Sequence, residues 1–82
     1  MSEQRQFDQP SIYRIRVSGY LAERWSEWFD GLRVIPQPDG ETLLTGLVTD
    51  QAALHGLLRK ILDLGLPLLL VEWVETVPPP EK

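Results

Sequence analysis

The spacing of apolar residues switches repeatedly between two periods along this chain, and the order of the switches limits the folds open to it. Ile12 to Val17 alternates, with Tyr13, Ile15 and Val17 on one face and Ile12, Arg14 and Arg16 on the other. A period of two in a β-branched run predicts a half-covered strand. Ser18-Gly19 breaks it and offers a cap for the next element. Leu21, Trp25, Trp28, Phe29 and Leu32 then recur at helical spacing, which predicts an amphipathic helix stopped at Gly31. Leu32 to Gln37 reads as a short strand, placed at a sheet edge because Pro36 cannot donate a ladder hydrogen bond. Pro38-Asp39-Gly40 reads as a turn, and Glu41 to Val48 as the partner strand of a hairpin. Thr49 or Asp50 caps a second helix, Gln51 to about Leu64, whose buried stripe is Ala53, Leu54, Leu57, Leu58, Ile61 and Leu64. Gly65 ends it, and Leu66 to about Val74 is the last strand.

Strand, helix, strand, strand, helix, strand defines an α+β chain. Two interleaved right-handed crossovers of this kind give a ferredoxin-like plait, βαββαβ. Its four-stranded antiparallel sheet carries both helices on one face, with the first and third strands central. Residues 11–77 form the single folding unit. The polar residues 1–10 read as a disordered N-terminal tail, and residues 78–82 as a proline-rich C-terminal tail.

Size and composition narrow the function classes. A unit this small buries only ~60% of its unfolded surface and is marginal alone. The 82 residues include no cysteine and one histidine, His55, so neither a disulfide nor a metal cage can supply support. Self-association is the remaining common means. Twelve acidic against eight basic residues give a net charge of -4, the opposite of a nucleic-acid footprint. The first ten residues carry no apolar stretch and the run Leu64 to Val71 is too short to span a bilayer, so a cytoplasmic protein without a membrane partner is expected.

The sheet face away from the helices is where a fold of this kind keeps its function. With Tyr13, Ile15 and Val17 inward, Arg14 and Arg16 stand on the open face. If Leu69, Val71 and Trp73 also point inward, the last strand contributes Leu68, Leu70 and Glu72 to that open face. The third strand adds either Leu43, Thr45 and Leu47 or Leu44, Gly46 and Val48. A solvated antiparallel face reads mostly polar. This one mixes leucines with two arginines and a glutamate, so something should cover it. A second copy, closed by a two-fold axis, is the simplest cover, with Arg14 or Arg16 pairing Glu72 across neighbouring strands. Arg14, Arg16, Leu68, Leu70 and Glu72 are therefore the candidate binding residues. Ala52 and Gly56, four apart on the second helix, offer a lesser surface for close backbone approach.

Catalytic chemistry has few candidates. His55 lies at the margin of the helical stripe, and no triad partner sits near it in sequence. Trp25, Trp28 and Phe29 could line an aromatic pocket, but the same spacing is what helix-to-sheet packing requires. The third strand has no aromatic for base stacking, unlike the RNA-recognition domains of this fold. No carboxylate pair, glycine-rich phosphate loop or metal cluster is legible, and no cofactor is expected.

Tyr13 to Gly19, followed by Arg24-Trp25 and Trp28-Phe29, resembles a group of small bacterial proteins without assigned activity. The resemblance continues at Asp50 to Leu58 and at Asp63 to Leu69, and it implies no catalytic residue or cofactor. At fold level the chain is also similar to regulatory modules of the ACT type, which bind amino acids. Those carry an acidic residue before the glycine of the first turn, where this chain has Val17-Ser18-Gly19. That resemblance implies a ligand site at Ser18 and Gly19, beside Trp25. The residues together predict a non-enzymatic protein-interaction or accessory module, homodimeric through its open sheet face. The alternatives are a small-ligand-binding regulatory domain and a cofactor-free enzyme using His55 or Tyr20 as proton carrier.

Overall fold

The computed structural model describes residues 9–77. Strand β1 (Ser11–Ser18) buries every second residue, with Ile15 and Val17 sealed from solvent. It lies at the centre of a four-stranded antiparallel sheet, flanked by β3 (Glu41–Val48) and β4 (Leu68–Thr76). The outer neighbour of β3 is β2 (Arg33–Pro36), so the order across the sheet is β2-β3-β1-β4. Pro36 ends the edge strand β2, where its missing N–H costs no interior ladder bond. The β2–β3 turn closes through Gln37 N–H to Glu41 O at 2.8 Å, with Asp39 Oδ1 accepting from Glu41 N–H and Gly40 at φ 87°. Val77 N–H donates to Pro10 O at 2.8 Å, which ties the ends of the described chain together. The predicted tails otherwise lie outside the described residues.

Helix α1 (Gln51–Asp63) forms as its stripe requires. Asp50 supplies the cap, its Oδ1 accepting from Ala53 N–H at 2.8 Å, and Leu54, Leu57 and Ile61 are buried against the sheet. Ala53, Leu58 and Leu64 are only partly buried beside them.

The first predicted helix is absent, which corrects the two-helix expectation. Between β1 and β2 the chain makes one 3-10 turn, Glu23–Ser26, followed by further turns. The helical spacing of Trp25, Trp28 and Phe29 is real, but Leu21–Leu32 is only twelve residues long, and a helix this short is marginal without packing along its length. Local hydrogen bonds take it elsewhere. Ser26 Oγ donates to Leu32 O at 2.6 Å, and Gly31 N–H donates to Ser26 O at 2.9 Å. Asp30 and Gly31 both have positive φ, so the chain reverses into β2 instead of continuing upward. Phe29 still reaches the core and is fully buried, packed with Leu21, Leu32 and Val34. Neither Ser18 nor Gly19 caps this turn, which begins after Ala22 with no side-chain cap.

Two buried contacts hold the β1 exit to the sheet. Thr42, sealed from solvent, donates from Oγ1 to Gly19 O at 2.6 Å and accepts from Leu21 N–H at 3.1 Å. Gly46, opposite Tyr13 in register, has φ 155°, and a Cβ there would meet Leu32 Cδ2 at 2.8 Å. Glycine at this position lets Leu32 lie directly on the sheet. Across the other side, Lys60 joins α1 to the turn. Its Nζ donates to Trp28 O at 2.8 Å, lies 3.6 Å from Asp30 Oδ1 and sits 5.3 Å from the Trp28 ring centroid. Lys60→Met keeps the stem and removes the charge. It is expected to cost about 1 kcal/mol and to shift tryptophan emission, measured by chemical unfolding followed by fluorescence.

Candidate interaction surface

The register assigns each open-face residue to a row across the sheet. One row is Arg33–Thr45–Arg14–Glu72, and the next is Ile35–Leu43–Arg16–Leu70. On the other side of the first lies Leu47–Ile12–Glu75. The third strand therefore offers Leu43, Thr45 and Leu47 outward, while Thr42, Leu44 and Val48 are buried.

The arginines expected on this face are there and are tied within the plane of the sheet. Arg14 Nη1 lies 3.3 Å from Glu72 Oε1, so of the two arginines offered as partners of Glu72 it is Arg14 that pairs with it. Arg16 Nη2 lies 2.8 Å from Glu41 Oε1 and 3.9 Å from Asp39 Oδ2. These side chains are about half exposed, so each pair contributes little stability, on the order of 0–1 kcal/mol. What they do is hold the charged heads flat along the face, leaving the aliphatic stems beside Leu43, Leu47 and Leu70.

Leu68 departs from the expected arrangement. Arg16 is opposite Leu70 but Val17 is opposite Leu68, so the strand has an irregularity at Leu69. Val17 points into the core, and its partner Leu68 is thereby turned from the open face toward the helix side. Leu70 and Glu72 remain on the open face.

Strand β4 is also less covered than expected. Val71 and Trp73 sit opposite the core residues Ile15 and Tyr13, on the helix side, yet are 38% and 54% exposed. α1 lies over β3 and the centre of the sheet, and the 3-10 turn packs on β2 at the far edge. With no full first helix, none of the described elements covers β4. The outcome is an edge strand rich in leucine, valine and tryptophan that meets solvent on both faces. Monomeric proteins normally blunt such an edge.

The residues of the ligand alternative are engaged internally. Ser18 N–H donates to Pro67 O and Gly19 N–H to Gly40 O, both at 2.9 Å. Gly19 O is taken by Thr42, and a Cβ on Gly19 would meet Leu66 Cδ2 at 3.0 Å. Trp25 packs against the core and meets Trp28 edge-on at 6.2 Å between centroids. An open surface depression lies elsewhere, lined by Glu23, Ser26, Arg33, Val34 and Ile35. His55 and Tyr20 are exposed, and neither side chain has a hydrogen-bond or ionic partner among the described residues. Among those residues no group of acidic or histidine side chains could hold a metal ion, and no helix is long and apolar enough to cross a membrane.

Arg33 and Ile35 complete the face and were missed from sequence, while Leu47 belongs to the first of the two outward sets expected of the third strand. Arg33-Val34-Ile35 does alternate, so the signal existed. It could not be used while the register between β2 and β3 was open, because a shift of one residue exchanges the two faces. Neither a curated protein nor a solved structure matches the chain. A family model matches residues 12–72, from the second residue of β1 to Glu72 on β4, and so takes in both halves of the open face. The chain belongs to that family, described as a domain of unknown function, DUF8691.

Proposed function

We propose that this domain is a non-enzymatic protein-interaction module, homodimeric through the open face of its sheet. Arg14, Arg16, Leu70 and Glu72 are its contact residues, joined by Ile12, Ile35, Leu43 and Leu47. The observation that carries the reading is an open face whose leucines and isoleucines alternate with Arg14 and Arg16, each paired with a carboxylate in the plane of the sheet. A face of that kind can be desolvated without stranding the charges of Arg14 and Arg16. Leu47 and Leu70 are exposed on this face, and an uncovered apolar patch on a small monomer marks an association surface. We read the architecture as a ferredoxin-like plait whose first helix has shrunk to a 3-10 turn. The central placement of β1 and β3 supports that reading, as does the crossing of α1 between β3 and β4.

Leu70→Glu tests the surface. It places a carboxylate beside Glu72 on β4, within the proposed contact area, and the dimer is expected to weaken by at least 100-fold. Light scattering across a wide concentration range reads the mass directly. A Leu70→Glu protein that keeps its fold and the dimeric mass of the parent excludes this face as the interface.

A further inference from the structure

Charge placement on the open face selects one geometry for the dimer. We infer that two copies stack face to face about a two-fold axis parallel to the strands, with Arg33 of each copy over the partner's Glu72. This rests on the homodimer proposed above and specifies how its two copies meet.

The central row runs Arg33–Thr45–Arg14–Glu72, from one edge of the sheet to the other. Its two ends differ in a useful way. Arg33 is exposed and its guanidinium has no ionic partner among the described residues; Glu23 lines the same depression without pairing with it. Glu72 uses Oε1 for Arg14 and has Oε2 unengaged among those residues. One copy therefore offers an unpaired cation at β2 and a free carboxylate oxygen at β4, in the same row.

Aligned packing of two sheets leaves two directions for an in-plane two-fold axis. An axis parallel to the strands exchanges left and right, so β2 of one copy covers β4 of the other and β3 covers β1. In the central row Arg33 then meets the partner's Glu72, and Arg14 meets the partner's Thr45. In the neighbouring rows Ile35 meets the partner's Leu70, Leu43 lies over the partner's Arg16 stem, and Leu47 meets the partner's Ile12. Opposite charges face each other at both ends of the central row, with Thr45 and Arg14 between them and mainly apolar side chains in the rows beside it.

The perpendicular axis sets each strand over its own copy. Centred on the central row, it faces Arg33, Arg14 and Glu72 each with the same residue of the partner. Moved half a repeat one way, it sets Arg14 over the partner's Arg16. Moved the other way, it sets Glu72 over the partner's Glu75. Like charges opposed in a desolvated interface cost several kcal/mol. The strand-parallel axis avoids all three clashes.

The test is a charge exchange. Arg33→Glu alone opposes two carboxylates at both ends of the interface, and Glu72→Arg alone opposes two guanidinium groups. Each is expected to weaken the dimer by ~100-fold. An equimolar mixture of the two restores an attractive pair at both ends and should recover the dimeric mass in light scattering. Variants that stay dimeric, or folded variants whose mixture stays monomeric, overturn the assigned axis. If the unaltered protein is dimeric in those same runs, only the axis fails; if it is monomeric at all concentrations, the parent reading fails with it.

A second measurement is independent of Arg14, which Glu72→Arg would repel. The chain has no cysteine, so Arg33→Cys and Glu72→Cys each carry a single thiol. Mixed with a short bis-maleimide, which adds one thiol at each end without an oxidant, they should form a hetero-dimer at least tenfold faster than either variant joins itself. Within one chain the two positions lie three strand spacings apart, about 14 Å, too far for direct bridging. Faster linking of Glu72→Cys to itself would instead select the perpendicular axis.

Discussion

Phe29→Ala should remove a large share of this domain's stability, about 3–5 kcal/mol. Phe29 has no exposed surface and is the largest fully buried side chain among the described residues. Truncating such a residue costs about 3–5 kcal/mol, the lost transfer energy plus the cavity left behind. A folding unit of this size has about 4–10 kcal/mol in total by the usual per-residue stability. Circular dichroism and urea unfolding would show a transition moved to markedly lower denaturant. The comparison that gives the result meaning is Trp28→Ala. Trp28 is 46% exposed and gives up mainly its contact with Lys60, so a cost near 1 kcal/mol is expected. A regular helix presenting one apolar face would make the aromatic residues of this stretch comparable. The observed turn makes Phe29 the single anchor, and equal costs for the two substitutions would count against it.

Thr42→Val is the second large effect, at roughly 2–4 kcal/mol. The substitution is nearly isosteric, so it removes little packing. It leaves the Leu21 N–H and the Gly19 carbonyl without the hydroxyl that satisfies both. Buried backbone groups deprived of a partner cost more than the hydrogen bond was worth. In urea, with a slope near 1 kcal/mol per molar for a small domain, the midpoint should fall by about 2–4 M. Thr42→Ser keeps the hydroxyl and should lose less than half as much. Equal midpoints for the valine and serine variants would show that the hydroxyl is not what holds the β1 exit.

These two residues bear on the interaction surface through the elements they position. Thr42 holds the chain as it leaves β1, and Phe29 holds the turn that delivers Arg33 to the edge of the sheet. Oligomer measurements on Arg33 or Leu70 variants are therefore meaningful only beside an unfolding curve. Lys60→Met, which loosens the turn without touching the sheet, separates general destabilisation from loss of the interface.

Most of the architecture was legible as pattern. The alternation in Ile12–Val17, the Pro38-Asp39-Gly40 turn and the stripe from Leu54 to Ile61 each state a local geometry. Those local geometries survive in β1, the β2–β3 hairpin and α1. So does the edge position of Pro36, because a missing donor has the same consequence in any sheet. That an arginine of β1, Arg14 or Arg16, would share a face with Glu72 followed from the same alternation, and the register of β1 and β4 selected Arg14.

Tertiary structure decided what pattern left open. Helical spacing in Leu21–Leu32 was compatible with a helix or with a turn that buries Phe29. Packing and the Ser26–Leu32 hydrogen bond chose the turn, because so short a segment has little helical stability of its own. Leu68 changed faces because a strand irregularity at Leu69 moves every residue beyond it, and continuous apolar sequence carries no mark of where a bulge falls. The place of Arg33 in a row with Arg14 and Glu72 depended on pairing between strands distant in sequence. Local sequence determined which elements form, since periodicity, capping and turn chemistry act within a few residues. Register across the sheet determined which charges and apolar groups share the exposed face, and register is a property of the assembled core.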